Sequence, residues 1–500
     1  MSQPPPAPSP VNRLWSLEPV PTLLKRLQAE LAVDFPPGKA IRLSRAPGRL
    51  DVMGGSTDYT GSLVCQAPLD RAAAVAIQSR QDRNVQVFSF NLLDDHQPFT
   101  ARIPLDALAD FCIDSGGQSP HRSLCAEFNQ PGRRWAGYLA GCVAILHHHR
   151  QVDLKNPSIR GINLALLSTV PLGAGVGSSA AIEVAAMINV MDHFQIRGSD
   201  PMALASLCRE VENRVVGAPC GIMDQLSSCA GQEGSLLRLL CQPDEVQSPL
   251  HLPPGIRIVG ISSGVKPGAG GGMNAKTRCA AFMGHRIILE KMRDLGRAAG
   301  ATLQSDPMRG YLANLEPQDY KKFFRPFLPE RLDGKSFLAQ YGPIHDTAAP
   351  VDPDHAYHVV QATDHHVLEA MRVRNFVHHL ETAAAMPRNS PQRKLPLDKA
   401  GHLMYASHLS YTNDALLGAE ECDALVQLVR NRRAAGLYGA KITGAGCGGT
   451  VAVLTDIGPQ TDAALAEIIS DYEKQTGRKP EAFLGSSPGA WEVGTVGVSL

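Results

Sequence analysis

The sequence has no long hydrophobic run and no excess of charge of either sign. Its longest apolar stretch, "GYLAGCVAIL", is about half of what a bilayer-spanning helix needs, and no secretory signal pattern opens the chain. The 48 basic side chains balance the 48 acidic ones, so the overall charge does not point to nucleic acid or to an anionic membrane. We therefore expect a cytoplasmic monomer or homodimer whose partners are small molecules.

Cysteine and histidine patterns typical of metal sites are also missing. The 11 cysteines are odd in number and scattered, and no C-x-x-C pair occurs, which favours reduced structural thiols over a disulfide framework or a zinc site. No H-E-x-x-H motif is present. We expect the run His147 to His149 to end a helix. His365, His366, His378 and His379 have no carboxylate or cysteine at ligand spacing, and we expect them on the surface.

The composition is that of a globular protein with a large core. The chain has 500 residues, of which 44% are hydrophobic and 19% charged, and this length indicates two or three domains. Short β-like runs mixed with helical periodicity predict an α+β fold. We predict a flexible Pro-rich tail over 1–38, an N-terminal domain over 39–250 and a C-terminal domain over 251–500.

A glycine-rich stretch stands out against this background. "PLGAGVGSSAAIEVAAM", from Pro171 to Met187, follows a strand-like run and continues as a helix. The first N–H groups of such a helix lack partners and its dipole adds partial positive charge, so the stretch predicts a phosphate loop. It lacks the Gly-Lys-Ser/Thr ending of Walker A and the G-x-G-x-x-G spacing of dinucleotide folds. A purely structural glycine turn is the alternative.

Two further stretches give this loop a context. "APGRLDVMGGSTDYTGSLV" near the start and "KITGAGCGGTVAV" near the end complete a trio in the order and spacing of the GHMP small-molecule kinase motifs. The sequence resembles that family. The resemblance implies the two-domain GHMP kinase fold, with a ribosomal protein S5-like N-terminal domain and a ferredoxin-like C-terminal domain. It also implies ATP and Mg²⁺ as cofactors.

Other segments narrow the resemblance to the galactokinase branch. "ENRVVGAPCGIMDQLSS" looks like the galactokinase segment that carries the catalytic aspartate, and "RRWAGYLAG" is similar to their adenine-side segment. The glycine pair in "DVMGGSTDY", together with "HLSYTNDALLGAEECDALV" and "GSSPGA", looks most like L-arabinokinases. The activity that follows from the resemblance is transfer of phosphate from ATP to the anomeric hydroxyl of a monosaccharide.

The catalytic and sugar-binding residues follow from the same resemblance. Asp224 takes the role of the base that takes or orients the hydroxyl proton, and Arg49 beside it balances charge in the transition state. A structural ion pair between the two is the alternative. The implied sugar-binding residues are Gly55, Ser56, Asp58, Gly221 and Asn274.

The resemblance also assigns the nucleotide and metal ligands. Ser179 and Glu212 are the implied Mg²⁺ ligands, an oxygen pair suited to a hard cation; for Glu212 the alternative is a solvated helix face. Trp135 and Tyr138 fall at the adenine edge, although a core position is the alternative for Trp135. The implied cofactor-binding residues are Pro171, Gly173, Gly175, Gly177, Ser178, Ser179, Ala180, Trp135, Tyr138, Thr443, Gly444 and Gly446.

The acceptor is expected to be L-arabinose. Galactokinases carry Glu-His before Thr-Asp-Tyr, facing the hydroxymethyl end of the sugar, whereas this chain has Gly55-Ser56. L-arabinopyranose has the ring stereochemistry of galactose without that group, so no partner is needed there. On this view, changing Gly55-Ser56 to Glu-His shifts the preference towards galactose. Galactose, fucose-type or heptose-type acceptors and a non-catalytic sugar sensor remain alternatives, because Lys266, Pro267 and Asn274 depart from the galactokinase pattern.

Overall fold

The computed structural model describes residues 13–110, 124–218, 220–266 and 271–500. The strands are β1 (Ala40–Met53), β2 (Leu63–Ser79), β3 (Asn84–Ser89), β4 (Thr100–Pro104), β5 (Ile162–Ser168), β6 (Ser235–Leu240), β7 (Glu245–His251), β8 (Ile256–Ser262), β9 (Leu332–Asp333), β10 (Ala356–Tyr357), β11 (Leu437–Ile442), β12 (Thr450–Asp456), β13 (Glu481–Phe483) and β14 (Thr495–Ser499). The α-helices are α1 (Val20–Glu30), α2 (Phe90–Asp94), α3 (Leu105–Asp110), α4 (Leu124–Phe128), α5 (Arg134–His148), α6 (Ser178–His193), α7 (Pro201–Glu210), α8 (Met223–Ala230), α9 (Gly271–Ala298), α10 (Pro317–Asp319), α11 (Gly334–Tyr341), α12 (Val359–Ala384), α13 (Lys394–Asn413), α14 (Glu420–Asn431), α15 (Pro459–Thr476) and α16 (Ala490–Val493). Helices and mainly antiparallel strands are mixed along the chain, which confirms the α+β class.

The larger sheet is built around the long strands β1 and β2. Its strand order is β14-β1-β2-β5-β3-β4, and β6 and β7 extend it from the first part of β2. One half of β2 pairs with β6 and the other half with β5, while β1 follows β2 along both halves. Both faces are covered, so nearly every residue of these two strands is buried.

The N-terminal segment covers one face of this sheet. Leu23 and Leu27 share one side of α1, are fully buried, and belong to the same core cluster as Ala74 and Ala76 of β2. The alternate residues of β2 face the other core, beneath α5 and α6. The prediction of a flexible tail over 1–38 is therefore wrong for residues 13–38, and residues 1–12 lie outside the described residues.

The smaller sheet has the ferredoxin-like order. Its four antiparallel strands run β11-β12-β8-β13, and the chain enters them in the sequence β8, helices, β11, β12, α15, β13. The last strand then leaves this half, because β14 pairs with β1 along Ala40↔Ser499 to Ser44↔Thr495. The predicted C-terminal domain over 251–500 is wrong for these last residues, since they satisfy the outer edge of β1.

A third group of residues lies between β8 and β11 in the sequence. The long helices α9 and α12 pack against each other and, with the segment that joins them, enclose a separate core cluster. This segment includes the short β9–β10 hairpin. The helix α9 thereby contacts the turn over 54–61 between β1 and β2. Because the resemblance assigns sugar binding to residues of this turn, it is called the sugar-recognition turn below. Among the residues that the structure describes, no helix is both long and apolar enough to cross a bilayer.

The packing of α1 gives a first testable prediction. Leu27→Ala removes a fully buried side chain and should lower the free energy of unfolding by about 2–5 kcal/mol, through lost burial and a residual cavity. Chemical denaturation checks this, with the exposed neighbour Gln28→Ala as the control. Equal stability of the two variants would mean that the N-terminal segment contributes no packing.

Candidate active site

The glycine-rich stretch forms the loop between β5 and α6, as its pattern predicts. Gly173, Gly175 and Gly177 have φ angles of +72°, +71° and +71°, a backbone conformation that residues with a side chain rarely adopt. No side chain caps α6 at Gly177, so the first backbone N–H groups of the helix are left for an anion. The helix begins at Ser178, which places the two serines at its positive end.

The third motif packs directly on this loop. The Thr450 hydroxyl donates to the carbonyl of Ala174 at 2.8 Å, and a Cβ at Gly444 would stand 2.6 Å from the carbonyl oxygen of Gly175. The Thr443 side chain is fully buried and accepts from the backbone N–H of Asp51 at 2.6 Å. Thr443 therefore supports the loop through its side chain, and its contact with a nucleotide stays a prediction.

Arg49 and Asp224 form the ion pair that the sequence predicts. Arg49 donates from Nε and Nη2 to the two carboxylate oxygens of Asp224 at 2.8 and 2.6 Å. Its third nitrogen, Nη1, donates to the carbonyl of Gly175 at 2.7 Å. One guanidinium thus joins the carboxylate at the start of α8 to the phosphate loop, and Asp224 keeps 22% of its side chain exposed.

The exposed part of Asp224 faces a cavity of about 540 Å³, within the size range of small-molecule sites. Six of its lining residues come from the sequence predictions outside the ion pair: Ser56, Asp58, Gly221, Asn274, Gly444 and Gly446. Sequence reasoning did not find Tyr59, Arg278 and Ala348, which also line it. The structure thereby brings residues from the first and third motifs, the aspartate segment and α9 to one opening. The phosphate loop does not line this cavity and is joined to it through Arg49.

Asp58 owes its position to a glycine on the facing loop. A Cβ at Gly221 would stand 2.0 Å from Asp58 Oδ2, so only glycine leaves room for this carboxylate. Burial raises the pKa of Asp58 to about 6, and the positive charge of Arg278 opposes part of that rise. The carboxylate is an acceptor for hydroxyl groups in the cavity.

Glu212 lies in a buried π-helical turn, Val211–Val216, beside the phosphate loop. It is 8% exposed, so the alternative of a solvated helix face is wrong. Its hydrogen-bond partners are the Ser179 hydroxyl, the Gln225 amide at 2.7 Å and the Cys220 thiol at 3.5 Å. All three are neutral. Burial therefore raises the pKa of Glu212 to about 7, against the hydrogen bond from Ser179.

Comparisons with known proteins show which families this chain matches. The GHMP kinases N terminal domain matches residues 138–232, the GHMP kinases C terminal domain matches 393–478, and the galactokinase galactose-binding signature matches 35–79. The chain thus contains the N-terminal and C-terminal domains of the GHMP kinases. The Lactococcus lactis galactokinase, solved in complex with galactose, shares its fold with a TM-score of 0.66 and 20% identity, covering 96% of this chain and 100% of that one.

Two curated relatives of this chain carry sugar kinase names. An L-arabinokinase of Arabidopsis thaliana is 33% identical over 496 residues, which cover 91% of this chain and 46% of that protein. A galactokinase of Chloroflexus aggregans is 28% identical over 439 residues, covering 87% and 89%. The chain therefore spans about half the length of the L-arabinokinase that it matches and most of the galactokinase.

Gly55 does not line the cavity, although the sequence predicts it as a sugar contact. A Cβ there would stand 2.0 Å from Asp51 Oδ2 and 2.3 Å from the Tyr411 hydroxyl. Asp51 is fixed in place, because it forms a fully buried ion pair with Lys441 at 2.8 Å and accepts from Gln66 at 2.8 Å. A glutamate at position 55 has no room. The expectation that Glu-His in place of Gly55-Ser56 shifts the preference towards galactose is therefore wrong.

Two of the four histidines expected on the surface are fully buried behind the sugar-recognition turn. His366 contacts the hydroxyl of Thr60 at 2.8 Å, and His365 contacts that of Ser410 at 3.0 Å. Burial lowers the pKa of His365 to about 3. These rings are neutral packing partners of the turn that carries Asp58, and the surface prediction is wrong for both.

Three further predicted residues do not line the cavity. Trp135 and Tyr138 are partly buried against the core of the larger sheet. Burial, and the nearby charge of Glu212, raise the pKa of the Tyr138 phenol. The Lys266 side chain lies against Gly173, so it borders the phosphate loop, while Pro267 is outside the described residues.

The crowding at Gly55 yields a direct test. Gly55→Ala should lower the free energy of unfolding by about 1–3 kcal/mol or more, because its Cβ displaces Asp51 or Tyr411. Gly272→Ala is the matched control, since a Cβ there meets nothing within 4 Å and should shift the value by no more than about 1 kcal/mol. Equal effects, measured by denaturant titration, would contradict the tight contact.

Proposed function

We propose that this chain transfers the terminal phosphoryl group of ATP to the anomeric hydroxyl of a monosaccharide, with L-arabinose as the preferred acceptor. One observation carries the proposal: Arg49 joins Asp224, which faces the cavity, to the phosphate loop through a single guanidinium. The reacting hydroxyl and the terminal phosphate must meet at such a point. The match to a galactose-binding signature makes D-galactose the second candidate.

The residues divide the chemistry between them. The Asp224 carboxylate accepts the hydrogen of the acceptor hydroxyl and points its oxygen at the phosphate. Arg49 offsets the negative charge that builds up as the phosphoryl group moves. The start of α6 and the glycine loop bind phosphate oxygens through backbone N–H groups. Asp58 holds the ring hydroxyls, and its narrow space beside Gly221 fixes the sugar orientation.

Glu212 and Ser179 fit a magnesium ion. Both offer oxygen ligands, and Glu212 is a buried carboxylate whose neutral partners leave its charge uncompensated. We assign these two residues as the protein ligands, with phosphate oxygens and water completing the shell. When bound, the ion supplies positive charge to the phosphates.

The preference for a pentose rests on the sugar-recognition turn. The space next to Gly55 is filled by Asp51 and Tyr411, so no long side chain can reach from this position towards a hydroxymethyl group. Ser56 lines the cavity with a short side chain, close to the Tyr411 hydroxyl. A site that offers no hydrogen-bond partner to the hydroxymethyl group gains no binding energy from a sugar that carries it. The relative named L-arabinokinase supports the same acceptor.

The base role of Asp224 predicts a strong effect on turnover. Asp224→Asn should lower kcat by roughly 10²-fold or more, the usual scale for loss of a general base, with sugar and ATP binding largely retained. Steady-state kinetics together with calorimetric binding of each substrate check this. Binding of both substrates with turnover at the parent rate would leave Asp224 as a structural partner of Arg49 only.

The acceptor preference is tested with a panel of sugars. In a coupled assay for ADP release, L-arabinose should give the highest kcat/KM and D-galactose a lower one, with fucose-type and heptose-type sugars as further arms. A higher kcat/KM for D-galactose would reverse the assignment. Sugar binding without ADP release from any acceptor would make the protein a sensor and reject the enzyme proposal.

A further inference from the structure

We propose that Arg278 is a sugar contact, donating hydrogen bonds from Nη1 to a ring hydroxyl of the acceptor that Asp58 also holds. The inference rests on the proposed sugar kinase function and names a specificity residue that the sequence motifs do not contain. Arg278 lies in the second turn of α9 and lines the same cavity as Asp58, Asp224 and Asn274.

The guanidinium of Arg278 is held rigidly on two sides. Nε and Nη2 donate to the two carboxylate oxygens of Asp346, both at 2.7 Å, and that carboxylate is only 8% exposed. The guanidinium carbon lies 4.7 Å from the centre of the Tyr59 ring. The bidentate pair and the stacked ring hold the guanidinium in one orientation. Little rotational freedom of the Arg278 side chain is therefore left to be lost when a sugar binds.

This arrangement leaves one nitrogen for a ligand. A guanidinium carries five N–H donors, and the pair with Asp346 uses those on Nε and one on Nη2. Among the residues that the structure describes, none accepts from Nη1. Because Arg278 lines the cavity, the unused donors are available to a molecule that enters it.

Arg278 and Asp58 form a matched donor and acceptor. Both line the cavity, and the positive charge of Arg278 opposes the rise in the pKa of Asp58. A sugar hydroxyl can donate to a carboxylate and accept from a guanidinium at once, so neighbouring hydroxyls satisfy both groups. Asp346 offsets the guanidinium charge, which favours neutral hydroxyls over a carboxylate substituent such as that of a uronic acid.

Tyr59 links this contact to the sugar-recognition turn. Tyr59 follows Asp58 directly in the short 3-10 turn Asp58–Thr60. The guanidinium of Arg278 therefore stacks on the residue next to the Asp58 carboxylate. Asp346 comes from the segment between α11 and α12, which also contributes Ala348 and Ala349 to the cavity. The acceptor site is therefore shared between the motif residues and this middle segment.

Arg278→Gln tests the contact. It should raise the KM for the preferred sugar about tenfold or more, the scale of a lost hydrogen bond to a charged donor, while the KM for ATP stays within about twofold. Sugar affinity measured calorimetrically without ATP should fall by the same factor. Arg325→Gln is the matched control, because Arg325 makes a similar two-oxygen pair with Asp364 and does not line the cavity.

Deoxy sugars separate a contact from a structural role. Each ring hydroxyl of the preferred sugar is removed in turn and kcat/KM is measured with the parent and with Arg278→Gln. For the deoxy sugar that lacks the contacted hydroxyl, Arg278→Gln should cause no further loss of kcat/KM, because the hydrogen bond is already absent. Losses that add for every deoxy sugar, or an unchanged sugar KM, would overturn the proposal.

A second variant and the activity of the parent protein separate the possible outcomes of this test. If Arg278→Gln does not fold, Arg278→Lys, which keeps the charge and loses the planar fork, is carried through the same deoxy series with the same criteria. Failure of the proposed function has a different signature, since the parent protein would then phosphorylate no sugar. A parent that phosphorylates a sugar and a variant that matches it reject the Arg278 contact alone.

Discussion

The guanidinium of Arg49 is the contact on which the active site depends. It is nearly inaccessible to solvent, and each of its three nitrogens donates to a neighbouring group: Nε and Nη2 to the two oxygens of Asp224, and Nη1 to the carbonyl of Gly175. Without it, the Asp224 carboxylate would have no cationic partner, and loss of one partner from a buried ion pair costs more free energy than loss of an exposed one. The same three hydrogen bonds fix the Asp224 carboxylate relative to the phosphate loop, so stability and geometry are set by one side chain.

Close approach between backbone and carboxylates is the second constraint. Gly221 leaves room for Asp58, Gly55 leaves room for Asp51, and Gly444 lies against the phosphate loop. In each case a methyl group would stand within 2.6 Å of an oxygen atom. Glycine is therefore required at these positions by packing, and its entropic cost is offset by the polar contacts that the close approach permits.

Sequence reasoning predicted the features that a local pattern or the family resemblance names. The strand, loop and helix of the glycine-rich stretch follow from a local pattern, whereas the Arg49–Asp224 pair, 175 residues apart, and the Glu212–Ser179 contact follow from the resemblance. It did not find the pairs that neither source names: Asp51 and Lys441 are 390 residues apart, and Arg278 and Asp346 are 68 apart. The packing of α1 was missed because the prolines before it outweighed the short amphipathic pattern, although its leucines fill the second face of the sheet.

The proposed function requires the oxygen presented to Asp224 to be the anomeric one. Phosphorus NMR of the product formed from L-arabinose and ATP, together with an assay for the reducing end, tests this requirement. We expect a single phosphate ester coupled to the anomeric proton, in a sugar that has lost its reducing power. A phosphate on any other hydroxyl, with the reducing end intact, would contradict it.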